Sequence, residues 1–267
     1  MKREIFLKKI ELTGCPYRET EKYRLNSVGE PYVWLTDDRE TLADLKKQGN
    51  CVVYLLTADN RNGFCPEADW CLEAEDPCKE DWMDMTFFWR VWLRSRDLPW
   101  QICETPRLYL REMTEEDLTF LYHCQTDPDT ARFVEGPRED RETELEKLQA
   151  YRKLIYGFYG FGLWMVCEKE SGRPVGRAGL QLREEEELPE LGFEMEASFR
   201  GRGFMKEALE AVMAYAREEL ELDRLRAVVD VDNAASQHVC RSLGFAEAFR
   251  RQEQGRQWIF FEKEIGI

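Results

Sequence analysis

The order of apolar and polar positions predicts a strand, a turn and a long helix in the second half of the chain. Residues 188–196 alternate between apolar and polar side chains, as a half-buried strand does. From residue 204 to residue 220, apolar residues recur at helical spacing. A strand-like run then covers residues 224–231, and Asn233 is a suitable N-cap for a helix that continues to residue 242.

The segments around this unit fit one larger domain. Strand-like runs cover residues 107–113, 161–169, 174–182 and 257–264. Thr114 and Asp117 are spaced as a helix cap, and residues 140–155 have the charge pattern of an amphipathic helix. We therefore expect a strand, two helices, three antiparallel strands, and then the strand–turn–helix unit with its following elements.

The first hundred residues predict a second, smaller domain. Short apolar runs at residues 31–36 and 51–56 favour buried strands, and residues 69–73 favour a third. Residues 37–47 between the first two strands have a helical pattern, and a further helix is expected to start at residues 76–77. We expect a small α/β domain with a short parallel sheet over residues 1–103, followed by a second domain over residues 104–267. The pattern assigns no role to the first domain.

Acidic residues follow the first predicted parallel strand. Thr36, Asp37 and Asp38 could form a metal or phosphoryl site at its carboxyl end. The spacing of Asp37 and Glu40 also matches a helix capping box, and we favour that interpretation. The glycine-rich first turn of a nucleotide-binding fold is absent from the sequence.

Composition limits the classes of protein to consider. The 267 residues suffice for two domains with their own cores, and the formal net charge of −15 argues against nucleic acid as a main partner. The sequence contains no apolar stretch of membrane-spanning length and no secretory leader, so we expect a cytoplasmic protein without a membrane partner.

The nine cysteines are spread along the chain. The densest group is Cys65, Cys71 and Cys78, whose spacing is not that of a zinc site and which has no histidine nearby. We expect free thiols and no metal.

The turn between the predicted strand and the long helix is the first candidate site. The first N–H groups of a helix lack intrahelical partners, and the helix dipole adds positive charge at the same end. Basic side chains surround this point, so the turn should bind phosphate or pyrophosphate. The candidate binding residues are Arg200, Gly201, Arg202, Gly203, Phe204, Met205 and Lys206. An ordinary strand–turn–helix with solvated arginines is the alternative.

Two motifs in this order resemble the acetyl-coenzyme A site of the GNAT N-acetyltransferase superfamily. Arg200 and Gly203 match the first and fourth places of its loop pattern, whereas Met205 stands at the sixth, where the family prefers glycine or alanine. Downstream, Asn233, Ser236 and the pair at residues 244–245 match its second motif. The resemblance is greatest to the RimJ/RimL-like branch and covers residues 104–267.

The resemblance implies a fold, a co-substrate and site residues. The fold would be an α/β (α+β) domain with a mixed, mostly antiparallel sheet flanked by helices, and the co-substrate would be acetyl-coenzyme A. Phe193, Glu194 and Met195 would border its thioester, and Asn233 and Ser236 its pantetheine arm. The catalytic base would be Glu190, or alternatively Glu194. Solvated strand carboxylates are the competing interpretation.

Cys240 stands where many members carry a tyrosine that protonates the departing thiolate. It could donate a proton there, although a cysteine on a helix is more often a packing residue.

The implied reaction is transfer of the acetyl group to a primary amine, on a cationic small molecule or a peptide N-terminus. Four consecutive acidic residues, 184–187, precede the strand that carries Glu190 and could attract such a cation. They could equally form a solvated hairpin. Because Met205 and Cys240 depart from the pattern, a non-catalytic coenzyme A-binding or interaction module remains the alternative. The sequence also leaves a homodimer open.

Overall fold

The structure is a computed structural model that describes residues 7–12, 30–60, 65–74, 84–134, 136–137, 139–183, 188–253 and 255–266. The chain divides into two compact units, residues 1–100 and 101–267. The acidic run at residues 184–187 and Cys78 lie outside the described residues.

The first unit contains a four-stranded sheet in the order β1–β2–β3–β4. The three predicted strands pair in parallel, which confirms the short parallel sheet. Strand β1 adds an antiparallel edge that the apolar pattern does not predict. The elements are β1 Leu7–Glu11, β2 Tyr32–Thr36, α1 Arg39–Lys47, β3 Val52–Leu56, β4 Trp70–Glu73 and α2 Met85–Ser95.

The residue that caps α1 is Asp38, so the predicted capping box at Asp37 is wrong by one position. An Asp38 carboxylate oxygen accepts a hydrogen bond from the Thr41 N–H at 2.8 Å. Asp84 caps α2 in the same manner. The predicted start of that helix at residues 76–77 lies outside the described residues.

The second unit contains an eight-stranded sheet in the order β11–β12–β10–β9–β8–β7–β6–β5. From β5 to β9, each strand pairs antiparallel with the next strand along the chain, and β9 pairs parallel with β10. The mixed, mostly antiparallel sheet is therefore confirmed. The strands are β5 Gln101–Glu104, β6 Leu108–Arg111, β7 Leu163–Glu168, β8 Pro174–Gln181, β9 Glu190–Met195, β10 Arg224–Asp230, β11 Ala246–Glu253 and β12 Arg256–Glu264.

The helices of this unit agree with the predicted order and add detail to it. The predicted helix at residues 140–155 ends as a regular α-helix at Tyr151 and continues as a π-helical turn, Arg152–Tyr156. Helix α4 was not predicted, because it is only six residues long. Strand β11 is one of the two closing strands that the family resemblance implies, and the apolar pattern does not give its bounds because it is exposed along nearly its whole length. The helices are α3 Leu118–Cys124, α4 Pro128–Phe133, α5 Arg141–Tyr151, α6 Phe204–Glu218 and α7 Ala234–Ser242.

The long helix α6 packs on one face of the sheet. The ring of Trp164 on β7 meets that of Tyr215 on α6 edge to face, with centroids 5.1 Å apart. Trp164, Ala178 and Phe193 are in register across β7, β8 and β9 and therefore share this face. Side chains alternate along a strand, so the residues at positions 190, 192 and 194 of β9 lie on the opposite face.

Candidate active site

Strands β9 and β10 separate soon after they begin. Within the described residues, the parallel register joins them at one pair, Glu190 with Arg226. The Arg226 N–H donates to the Pro189 carbonyl oxygen at 3.1 Å. Beyond this point the two strands diverge, so a gap opens toward their carboxyl ends.

Backbone donors of β9 face this gap. The Glu196 N–H donates to the carbonyl oxygen of Val175 on β8 and therefore points toward β8. Because successive N–H groups of a strand point to opposite sides, those of Phe193 and Met195 point toward β10. This is the segment in which the family resemblance places the residues that border the thioester.

The turn between β9 and α6 is built on two glycines in the left-handed conformation. A short 3-10 turn, Ala197–Phe199, leads into Gly201 with φ of 73° and Gly203 with φ of 76°. Gly203 is the N-cap of α6 and has no side chain to cap it. The first N–H groups of α6 thus emerge from a turn that only glycine adopts without strain.

The basic side chains of this turn are ion-paired with carboxylates of the protein. An Arg200 nitrogen lies 2.6 Å from an Asp127 carboxylate oxygen, and another Arg200 donor reaches Met195 O at 3.2 Å. Arg202 lies 3.4 Å from Glu168, and Lys206 lies 3.8 Å from Glu210. In this structure the three basic side chains are therefore engaged with carboxylates of the protein.

Met205 does not fill the turn. Its side chain is 8% exposed and belongs to the core beneath α6. The position that departs from the family pattern therefore contributes to packing.

Asn233 is the N-cap that the sequence predicts. Its side-chain oxygen accepts a hydrogen bond from the Ser236 N–H at 3.0 Å, which caps α7. Both residues also line the cavity beside the gap.

The gap opens into a cavity of about 320 Å³ on the face of the sheet opposite α6. Residues from β7 to β10, from β12, from the end of α4 and from the start of α7 form its walls. They are Phe133, Val134, Leu163, Arg177, Gln181, Glu190, Leu191, Gly192, Phe193, Glu194, Val228, Val229, Asp230, Asn233, Ser236 and Trp258. Both predicted base candidates are among them.

The two glutamates have different environments. Glu190 accepts a hydrogen bond from the Gln181 side chain at 3.2 Å, and Arg183 lies 3.9 Å from its other oxygen. Glu194 is 6% exposed, and its Oε1 atom forms a short ion pair with Arg177. Among the described residues, no hydrogen-bond partner reaches the buried Glu194 Oε2 atom. An unsatisfied buried acceptor is costly, so this oxygen is available to a donor brought by a substrate.

Cys240 is not brought to the cavity. It is fully buried in the core and absent from the cavity walls. Burial raises the pKa of its thiol to about 12. The structure therefore gives Cys240 a packing role and offers no path for it to the gap.

Four polar or aromatic wall residues on strands were missed by the sequence analysis. Arg177 and Gln181 on β8 pair in register with Glu194 and Glu190, so a correct β8–β9 register would have revealed them. Asp230 and Trp258 also face each other in register, on β10 and β12. No local motif marks these four residues.

Within the described residues, no group of three or more metal-ligating side chains is gathered together. The helices of the described ranges also lack the length and apolar character that a membrane span requires.

Comparison with known proteins agrees with this geometry. Residues 107–246 match the acetyltransferase (GNAT) domain family, a range within the second unit that covers just over half of the 267 residues. The chain is 27% identical over 163 residues to the uncharacterized N-acetyltransferase YoaA of Bacillus subtilis, which covers 60% of this chain and 88% of YoaA. It is 33% identical over 141 residues to alpha/beta-tubulin-N-acetyltransferase 9 of Drosophila melanogaster, covering 48% of this chain and 70% of that protein.

Solved structures show the same fold. One is RimL, a ribosomal L7/L12 alpha-N-protein acetyltransferase in complex with coenzyme A. It matches with a TM-score of 0.52 and 17% identity, over 62% of this chain and 98% of RimL. The diverging strands, the glycine turn before α6 and the family match agree, and the chain belongs to the GNAT acetyltransferase family.

Proposed function

We propose that this acetyltransferase moves the acetyl group of acetyl-coenzyme A to the primary amine of a cationic acceptor, either a small molecule or a peptide N-terminus. The observation that carries the proposal is the gap between β9 and β10, which opens into a cavity lined by Glu190, Glu194 and Asp230. Backbone donors and carboxylates thus meet at one place, as amine acetylation requires.

The residues of the turn fit the phosphate groups of the co-substrate. With a Cβ atom added, Gly201 would meet no atom within 4 Å, and Gly203 would meet Arg107 Nη2 at 3.5 Å. The approach to the backbone is therefore open. In this proposal the N–H groups of residues 203–206 hold the pyrophosphate. Acetyl-coenzyme A supplies the activated thioester, and Asn233 and Ser236 border its pantetheine arm.

Glu190 is the base in this proposal. An amine attacks a thioester when it is neutral, so a group in the cavity must accept its proton. Gln181 orients the Glu190 carboxylate, whereas Arg177 occupies one oxygen of Glu194. Glu194 then serves to hold the amine through its unpartnered oxygen, and the N–H groups of Phe193 and Met195 stabilise the developing oxyanion.

The charge of the cavity favours a cationic acceptor. Three of its wall residues are carboxylates and one, Arg177, is cationic. Charges at a partly buried site interact more strongly than in water, so an ammonium group is attracted and a carboxylate is repelled. The acidic run at residues 184–187, which suggested a cationic acceptor from the sequence, lies outside the described residues.

A panel of amines tests the proposal. With acetyl-coenzyme A and a thiol reagent, we expect thiol release with a polyamine, an aminoglycoside or a peptide with a basic N-terminus. Asp230→Asn should raise the KM for the active cation and weaken the dependence of that KM on salt, because the cation approaches the cavity from solvent, where salt screens charges beyond about 8 Å at physiological ionic strength. Coenzyme A binding without thiol release from any amine would instead favour the non-catalytic module.

A further inference from the structure

An ion pair between Arg107 and Glu207 joins the start of β6 to the turn at residues 200–206, which is called the phosphate turn below. Glu207, in the first turn of α6, accepts hydrogen bonds from the Arg107 N–H at 2.9 Å and the Arg107 Nε at 2.6 Å. The Thr105 hydroxyl donates to the same carboxylate at 2.5 Å. Burial raises the pKa of Glu207, but these hydrogen bonds outweigh it and hold the pKa below its usual value. The carboxylate is therefore a fixed, charged anchor.

Arg107 continues from this anchor into the turn. Its Nη1 donates to the Arg202 carbonyl oxygen at 3.0 Å, and its guanidinium lies over the Phe204 ring, 4.5 Å from the centroid. One side chain thus contacts the residues on both sides of Gly203. The guanidinium uses its Nε and Nη1 atoms for two different partners, a geometry that a lysine ammonium cannot reproduce.

The hydrogen bond to the Arg202 carbonyl oxygen determines where the next N–H points. The peptide unit is planar and trans, so its C=O and N–H point in opposite directions. When Arg107 holds the Arg202 oxygen, the Gly203 N–H is directed away from Arg107. Gly203 lies in the left-handed conformation and carries no capping side chain, so the hydrogen bond from Arg107 holds this peptide from outside the turn.

We propose that Arg107, held by Glu207, is a positioning residue that aims the Gly203 N–H at the pyrophosphate of coenzyme A. This inference rests on the proposed cofactor site. Arg107 acts through the peptide it holds, and its own charge is neutralised by Glu207. It also gives a role to a residue outside both sequence motifs, located at the start of the domain and about 100 positions from the turn.

Calorimetric titration of the full chain with coenzyme A and with pantetheine, which lacks the phosphates, tests the proposal without an acceptor. Arg107→Ala and Arg107→Lys should each weaken coenzyme A binding about tenfold, the loss expected for a charge-assisted hydrogen bond, and leave pantetheine binding unchanged. Arg224→Ala is the matched control, because Arg224 is ion-paired and similarly exposed, 46% against 47% for Arg107.

Glu207→Gln separates positioning from simple charge attraction. Removing a carboxylate near a phosphate site should tighten coenzyme A binding if charge alone matters, whereas loss of the anchor should weaken it. Wild-type affinity in Arg107→Lys, tighter binding in Glu207→Gln, or an equal loss with pantetheine would each overturn the inference. If the wild-type chain binds coenzyme A no more tightly than pantetheine, the cofactor site itself fails and the inference fails with it.

Discussion

The proposed phosphate turn and the proposed acceptor cavity differ in the chemical groups that form them. The turn is one contiguous segment whose proposed binding groups are backbone N–H donors, set by two left-handed glycines. The cavity is formed by residues of five strands, the end of α4 and the start of α7, which meet only in the folded domain. A site made of backbone groups keeps its donors when most of its side chains are substituted. The shape and charge of the cavity, by contrast, change with each wall residue.

The ion pairs of the two regions differ in how exposed their side chains are. The pairs of Arg202 and Lys206 have arginine and lysine side chains about half exposed, so each stabilises the fold by about 1 kcal/mol at most. They can therefore be given up to an incoming phosphate. The Arg177–Glu194 pair is buried, with side chains 13% and 4% exposed. Because a buried charge without its partner is costly, this pair should stay intact through the reaction.

The largest expected effect comes from changing the turn. At a hundredfold excess over its dissociation constant, coenzyme A should stabilise the wild-type chain by about 2.7 kcal/mol through linkage. Gly203→Asp should abolish this stabilisation and the activity, because it places a carboxylate against the phosphates. Thermal melts with and without coenzyme A measure the effect.

Gly172→Asp is the matched control for that substitution. Gly172 also has a left-handed φ, of 69°, in a hairpin turn where an added Cβ would meet nothing within 4 Å. It should lose a similar amount of intrinsic stability and keep its response to coenzyme A. An unaltered response in Gly203→Asp would remove the turn from the cofactor site.

The smallest expected effect concerns Cys240, on the helix that begins at the cavity and continues into the core. Because burial raises the pKa of this thiol to about 12, the thiol stays neutral over the pH range of the assay and should add no inflection to a pH–rate profile. Cys240→Ala should lower stability modestly and change kcat by less than about twofold. A large fall in kcat with an altered alkaline limb would restore Cys240 as a proton donor.

The contrast between the two regions also explains what the sequence could predict. The strand–turn–helix around Gly203 and the cap at Asn233 depend on local spacing, and both lie where the pattern places them. Arg177 reaches Glu194 only through the β8–β9 register, which no local pattern encodes. Likewise, the sequence shows that Arg200 is basic but not that Asp127 pairs with it.

Cys240 shows that spacing along the chain can also suggest a site residue that the fold places in the core. Its distance along the chain from Asn233 suits a family position, but its side chain turns into the core. Spacing along a helix predicts a face of that helix. What the face packs against depends on the assembled fold.

The pH dependence of turnover in Glu190→Gln tests the central claim most directly. That claim is that a carboxylate at the point where the β9–β10 gap begins deprotonates the acceptor amine. With a reactive amine from the panel, kcat should fall about 10²- to 10⁴-fold at neutral pH and recover as the pH approaches the pKa of the amine. Glu264→Gln, at a 76% exposed side chain on β12, should leave the profile unchanged. Full activity of Glu190→Gln across the pH range, with the loss appearing in Glu194→Gln instead, would contradict the account.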